Sequence, residues 1–103
     1  MADFMKILQQ AQEMQGKFQA LQSDLQKEMV SASAGGGMVR VEANGQGTVR
    51  SIKIDPSVVN ASDVEMLEDL ILVAVTEAQK KAQDIAQREM GKLTGGLPFK
   101  LPF

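Results

Sequence analysis

The 103-residue chain is 44% hydrophobic and 23% charged, with a formal net charge of −2, so we expect one soluble, globular domain. The absence of cysteine excludes a disulfide framework and a thiolate metal site, and the absence of histidine removes the commonest general base and zinc ligand. No segment has the pattern of a secretory signal or a membrane-spanning helix, so we expect a cytoplasmic protein.

The N-terminal 29 residues predict one long amphipathic helix. Its apolar positions alternate steps of three and four, at Phe4, Ile7, Ala11, Met14, Phe18, Leu21 and Leu25. Glutamines dominate the other face. Gly16 destabilises the helix by about 1 kcal/mol relative to alanine, which is too little to end a helix of this periodicity.

Residues 30–54 predict a three-stranded antiparallel meander. "VSASA" is the weakest strand and is polar enough to lie at an edge, and the next strand alternates around Val39 and Val41. Asn44-Gly45 predicts a type I′ hairpin turn, and Gly47 allows a longer or bulged version. The apolar parity changes between Val49 and Ile52, which indicates a bulge near Arg50 or Ser51.

The glycines of "AGGGMVRVEANGQGTV" admit a second interpretation, a phosphate-binding loop. A Walker loop needs a Lys and a Ser or Thr directly after its last glycine, and neither Gly37 nor Gly47 is followed by that pair. A dinucleotide fingerprint needs a helix after its glycines, whereas a strand is predicted after Gly47. The pattern therefore favours hairpin turns.

A second long helix is predicted over residues 62–92. Ser62 and Glu65 are spaced as a capping box, and acidic residues crowd the first turns, where the helix dipole favours them. Gly95-Gly96 is expected to close the helix, leaving 93–103 as an irregular tail. The fold class is thus α+β, a single domain over 1–103 with two helices that project beyond the sheet. Such a thin core is expected to be completed by a second copy.

Catalysis is not expected. Without His, Cys, Tyr or Trp, an enzyme would depend on carboxylates and lysines, and no pair is placed in an apolar pocket that would tune its pKa. Glu65, Glu68 and Asp69 are explained by helix capping rather than by a cation. We therefore expect no catalytic residue, metal or cofactor.

Charge is unevenly distributed along the chain. Residues 60–79 hold five acidic and no basic side chains, whereas 80–103 hold five basic and two acidic ones. The basic residues of the second helix indicate either a solvated helix end or a grip for a polyanion, and charge alone leaves both interpretations open.

Six segments together resemble the YbaB/EbfC family of bacterial nucleoid-associated, DNA-binding proteins. They are "AQEMQGKFQALQ", "AGGGMVRVEANGQG", "IKIDPS", "VEMLEDLI", "REMGKLTGG" and the closing "FKLPF", which together cover nearly the whole chain. The resemblance implies a homodimer with joined sheets, whose long helices grip double-stranded DNA at the nucleoid and influence nucleoid organisation and gene expression.

The resemblance also implies which residues contact DNA. We expect neither a membrane nor a small-molecule substrate as a partner. The candidates are Lys6, Gln12, Gln15 and Lys17 on the first helix and Lys80, Lys81, Arg88 and Lys92 on the second. A competing hypothesis is a protein-interaction module, in which the helical arms or the tail residues Phe99, Leu101 and Phe103 dock a protein partner.

Overall fold

The computed structural model describes residues 2–94 and contains a helix, a three-stranded antiparallel sheet and a second helix. The elements are α1 (Ala2–Lys27), β1 (Met29–Ala34), β2 (Val39–Asn44), β3 (Val49–Ile54) and α2 (Val64–Thr94). The predicted α+β class and chain order are confirmed, with element ends displaced by up to two residues. Residues 93 and 94, predicted as tail, belong to α2. The rest of the tail and its Gly95-Gly96 stop lie outside the described residues.

The sheet is a meander in the order β1-β2-β3, with "VSASA" at an edge as predicted. Register pairs Glu42 with Ser51 but Ala43 with Val49, so Arg50 is the extra residue of a β-bulge. The bulge explains the change of parity in the sequence. Because Arg50 is an extra residue, Val49 and Ile52 lie on the same face of the sheet. The predicted bulge is confirmed.

The β2–β3 connection is the longer, bulged version and not the predicted type I′ turn. Neither Asn44 nor Gly45 has a positive φ, whereas Gly47 has a φ of 87°. The Gly47 N–H donates to Asn44 O at 2.9 Å, and Asn44 Oδ1 accepts from the N–H groups of Gln46 (2.9 Å) and Thr48 (3.0 Å). These bonds satisfy the buried Asn44 amide oxygen and place the left-handed residue after the turn, where glycine is favoured.

The core lies between α2 and the strands β1 and β2. Alternate strand residues point into it, and Val39 and Val41 are fully buried. Ala74, Ala78 and Ala82 recur every four residues along α2 and are also buried, because their small side chains let the helix lie close to the sheet. The core members are Val30, Ala32, Ala34, Val39, Val41, Ala43, Val58, Ala74, Ala78 and Ala82.

The same face of the sheet continues onto β3 but is less well covered there. Ile54 lies opposite Val39 and Ile52 opposite Val41, so both isoleucines share the core side of the sheet. They are nevertheless 36% and 44% exposed, because α2 packs mainly across β1 and β2. One strip of the apolar face is thus left open along β3.

The start of α2 differs from the prediction. The N-cap is Asp63, whose Oδ1 accepts from the Met66 N–H at 3.2 Å, and the helix begins at Val64. Ser62 is not the cap, because its hydroxyl and N–H both donate to Asn60 Oδ1. The capping-box prediction at Ser62 is therefore wrong by one residue.

A short 3-10 helix, Pro56–Val58, connects β3 to the segment before α2. The N-cap Asp55 accepts the Ser57 N–H at 2.9 Å, and this backbone hydrogen bond, with a smaller effect of the Ser57 side chain, lowers the pKa of Asp55 below its ordinary value. The cap therefore holds its carboxylate in the charged form.

The two helices make the molecule elongated. At 1.5 Å per residue, α1 is about 39 Å long and α2 about 46 Å. The radius of gyration is 19.7 Å and the extents are 72 × 23 × 16 Å, against about 13 Å expected for the radius of gyration of a compact 100-residue domain. The predicted projection of the helices is confirmed.

Candidate nucleic-acid interface

The base of the projecting arm is a close contact between α1 and the β2–β3 turn. Leu25, in the last turns of α1, is buried, and the Gly45 N–H donates to the carbonyl oxygens of Leu25 (2.8 Å) and Glu28 (3.0 Å). A Cβ at Gly45 would lie 2.7 Å from Leu25 O, closer than real Cβ contacts. Glycine is therefore required here by space and not by backbone conformation.

Glutamine side chains bind both helices to the same turn. Gln46 Nε2 donates to the backbone oxygen of Gln22 (3.2 Å) and to its Oε1 (3.1 Å), which attaches the turn to α1. Gln79 Nε2 donates to Gly47 O at 3.2 Å, which attaches the turn to α2. These contacts set the direction in which the helices leave the sheet.

Beyond the base, α1 and α2 run antiparallel. Leu25 and Gln22 line one crevice with Ala86, and Leu21 lines the next crevice with Glu89. With increasing distance from the sheet, residue numbers decrease along α1 and increase along α2, so both helices extend away from the sheet in the same direction. Together they form the arm.

Three of the predicted contacts share one side of α2. Lys81 and Arg88 are seven residues apart and Arg88 and Lys92 four, which places them within about 40° around the helix axis. Lys80 is about 100° away from Lys81 and does not belong to this side. All four side chains are exposed.

Two of these cations already have partners within the chain. Lys81 Nζ donates to Ser31 O on the edge strand β1 at 2.7 Å, and Lys92 Nζ lies 3.3 Å from Glu89 Oε1. Both remain exposed to solvent, so each could exchange its present acceptor for a phosphate oxygen. Lys81 also provides a hydrogen-bond donor to one backbone carbonyl of the edge strand β1.

The α1 candidates divide between two sides of the helix. Lys6 and Lys17 are eleven residues apart and lie within about 20° of each other. Gln12 lies about 120° from Lys6 and Gln15 about 180° from it, so the glutamines face another direction. The structure does not bring the four together as one surface.

Acidic residues alternate with the basic ones along both helices. Glu77 and Asp84 precede Lys81 and Arg88 by four residues each, an orientation that supports a helix. Glu13 likewise precedes Lys17 by four residues on α1. The two helices therefore carry spaced single cations rather than a continuous positive stripe.

The sequence reasoning missed a basic pair on the open face of the sheet. Arg40 on β2 lies directly opposite Lys53 on β3, both are exposed, and neither has a hydrogen bond or ion pair to another described residue. Like charges in opposite positions repel each other, and a bound anion would relieve this repulsion. The sequence could have shown this pair, because counting strand partners from the hairpin turn and allowing for the predicted bulge places Arg40 opposite Lys53.

None of the helices within residues 2–94 is long and apolar enough to cross a membrane. In the same range, no group of three or more acidic side chains is arranged to hold a metal ion.

The comparison with known proteins decides the family. The model of the YbaB/EbfC DNA-binding family matches residues 1–97. The chain belongs to this family. A nucleoid-associated protein of Gemmatimonas aurantiaca is 53% identical over 103 residues, covering 98% of this chain and 99% of the relative. One from Thermodesulfovibrio yellowstonii is 52% identical over 99 residues, covering 96% and 85%.

A solved structure shows the same fold. An uncharacterised protein from Helicobacter pylori superposes with a TM-score of 0.82 at 23% identity, covering 89% of this chain and 97% of that one. Membership in the YbaB/EbfC family confirms the resemblance found in the six sequence segments.

Proposed function

We propose that this YbaB/EbfC-family chain is a nucleoid-associated protein that grips duplex DNA as a homodimer, without catalysis and without a cofactor. The observation that carries the proposal is the set of exposed cations on the two helices that project from the sheet, in a chain whose family is described as DNA-binding. Relatives at about 50% identity are named nucleoid-associated proteins, which supports a place at the nucleoid in the cytoplasm.

The DNA contacts of the proposal are the side chains predicted from the sequence. Lys81, Arg88 and Lys92 bind phosphates from one side of α2, and Lys6 and Lys17 bind them from α1. Lys80, Gln12 and Gln15 lie at other angles and reach the backbone or base edges where the duplex passes around the arm. Because acidic residues separate these cations, few phosphates are engaged per protomer and the affinity is modest.

The open strip of the sheet supports the homodimer. Ile52 and Ile54 are large apolar side chains on the core side of β3, and Leu72 is 65% exposed on α2. Leu72 lies two turns before Gln79, which bonds to the β2–β3 turn, so it is on the side of α2 that faces β3. A second copy related by a two-fold axis would cover this apolar flank (Ile52, Ile54 and Leu72) and extend the core.

Sedimentation tests the dimer. At micromolar concentration the unsubstituted protein is expected to sediment with twice the 11.1 kDa mass of one chain. The Ile52→Lys variant is expected to sediment with the mass of a single chain, because the substitution places a charge in the apolar flank. Val73→Lys is the matched control, since Val73 is half exposed but lies about 100° from Leu72 on the helix. A monomeric parent, or a dimer that survives Ile52→Lys, would contradict the interface.

DNA binding is tested by fluorescence anisotropy with a labelled mixed-sequence duplex, from about 50 to 200 mM salt. The expected result is saturable binding that weakens with salt, with a log–log slope of about 0.9 per phosphate contact. Lys81→Gln/Arg88→Gln should lower both affinity and slope. Lys27→Gln/Arg50→Gln removes the same charge from exposed positions at the sheet end and should leave the slope unchanged.

The same titration distinguishes DNA binding from the competing hypothesis of a protein-interaction module. Absence of binding at the lowest salt would reject the DNA grip and favour docking of a protein by apolar surface, which depends little on salt. An equal loss in the two double variants would show that net charge, and not the arm, controls binding.

A further inference from the structure

The face of the sheet opposite α2 is polar and open to solvent. α2 covers the other face, where Val39 and Val41 are buried with the alanines of the helix. On the open face, the side chains that point away from α2 form two rows across the strands. One row is Ser33, Arg40 and Lys53, and the other is Ser31, Glu42 and Ser51. The first row holds two cations and the second holds one carboxylate, so one end of the open face is basic.

The two cations of the basic row are close together and lack an ion pair within residues 2–94. Arg40 and Lys53 are cross-strand neighbours with Cβ atoms about 5 Å apart, and both are exposed. Glu42 shares the face two positions along β2, and Asp55 follows Lys53 by two positions. Neither carboxylate forms an ion pair with the two cations, and that of Asp55 accepts the Ser57 N–H. The repulsion between Arg40 and Lys53 would be relieved by an anion bound to both.

The basic row lies beside one of the cations of α2. Lys81 reaches the edge strand β1, where its Nζ donates to Ser31 O at 2.7 Å. Ser33 is two residues further along β1, about 7 Å away, and Arg40 lies one strand spacing, about 5 Å, beyond Ser33. Lys81, Arg40 and Lys53 therefore follow a short path that leads from α2 over the β1 edge and across the open face.

The path is shallow where it crosses β1. Ser31 and Ser33 lie between Lys81 and Arg40, and both are exposed. Their side chains are short, and each hydroxyl can donate a hydrogen bond to a phosphate oxygen. Duplex DNA carries one phosphate charge per about 1.7 Å of its axis, so a path of about 12 Å faces several phosphates at once. Charge and continuity with Lys81 thus make the DNA backbone the ligand that fits the path.

We propose that Arg40 and Lys53, with the Ser33 hydroxyl, form a second phosphate-binding position for the same duplex that the arm holds. The DNA backbone passes from Lys81 over the β1 edge to this row. The inference rests on the proposed function, because it assigns further contacts to the same DNA. It extends the contact surface from the helices to the sheet and adds about two phosphate contacts per protomer.

Lysine footprinting tests the contact in the unsubstituted protein. Acetylation by a small amine-reactive reagent is followed at each lysine by peptide mass, with and without a mixed-sequence duplex at about 50 mM salt. With the duplex at about nine times its dissociation constant, acetylation of Lys53 and of Lys81 should slow about tenfold. Lys27, exposed at the end of α1, should react at an unchanged rate.

The footprint separates this inference from the proposed function. Protection of Lys81 without protection of Lys53 would overturn the sheet contact and leave the arm grip standing. Protection of neither lysine would overturn both. Equal protection of Lys27 and Lys53 would also overturn the sheet contact, because the effect would not be local to the basic row.

The salt dependence of DNA binding gives a second readout. Arg40→Gln/Lys53→Gln should lower the log–log slope by about 1.8, since each lost phosphate contact removes about 0.9. Both positions are exposed, so the fold should persist. Lys27→Gln/Arg50→Gln removes the same charge and is the matched control, which should keep the slope of the unsubstituted protein. An unchanged slope in the first variant, or an equal loss in the control, would overturn the inference.

Discussion

Leu25 and Phe4 belong to the same apolar stripe of α1, yet Leu25 is 4% exposed and Phe4 is 66% exposed. The base of the arm differs from its tip in what lies opposite the stripe. At the base, the β2–β3 turn contacts α1 through backbone and glutamine hydrogen bonds, and Gln79 attaches α2 to the same turn. An amphipathic pattern thus predicts a surface that needs a partner but does not identify that partner.

Substitutions in the core beneath α2 should destabilise the protein most. Val41→Ala removes two methyl groups from a fully buried site and should lower the free energy of unfolding by about 2–3 kcal/mol. Val73→Ala, the same substitution at a half-exposed position, should change it by less than about 0.5 kcal/mol. Urea denaturation measures both, and equal losses would contradict the assigned position of the core.

The next effect tests the attachment of α1. Gly45→Ala places a methyl group against the Leu25 carbonyl oxygen and should cost about 1–3 kcal/mol, with faster amide exchange throughout α1. The measurement is hydrogen exchange resolved by segment. Unchanged exchange in α1 would show that the turn does not hold the helix.

The same substitution at Gly16 should have the opposite sign. A Cβ there meets no atom within 4 Å, and alanine is about 1 kcal/mol more favourable than glycine inside a helix. Gly16→Ala is therefore expected to slow amide exchange in the middle of α1 by about fivefold. Faster exchange instead would mean that a second copy or another segment packs against this side of α1.

The smallest effect concerns the cap at Asp55. Because the fold lowers the pKa of Asp55, its contribution to stability is present above the pKa of the unfolded chain and is lost as the pH falls through the folded pKa. Asp55→Asn should thus be slightly less stable than the parent at pH 7, and the difference should disappear in acid. Urea denaturation at pH 7 and at successively lower pH checks this, and a difference that does not shrink as the solution becomes acidic would contradict it.

Much of the fold could be predicted because it depends on near neighbours in the sequence. The spacing from Phe4 to Leu25 predicted α1, and the parity change between Val49 and Ile52 predicted a bulge near Arg50 or Ser51, which the strand register places at Arg50. The type I′ turn was wrong because the conformation near Gly45 is set by its contact with Leu25. The cap was misplaced because Ser62 and Asp63 are both good caps, and Asn60 holds the serine.

The candidate site was less predictable. The exposed cations of both helices were named from the sequence, but the bond from Lys81 to Ser31 O depends on where α2 crosses β1. The separation of Gln12 and Gln15 from Lys6 follows from helical periodicity and could have been derived beforehand. The Arg40 and Lys53 pair needed the strand register, which joins residues from different strands.

Sequence alone therefore determined the helices, the strands, the bulge and the polarity of the arm, because each follows from spacing and backbone preference over a few residues. The tertiary structure decided which apolar residues are buried. Val41 and Ile52 lie opposite each other on one face of the sheet, yet only Val41 is fully covered, because α2 crosses β1 and β2 and leaves β3 open.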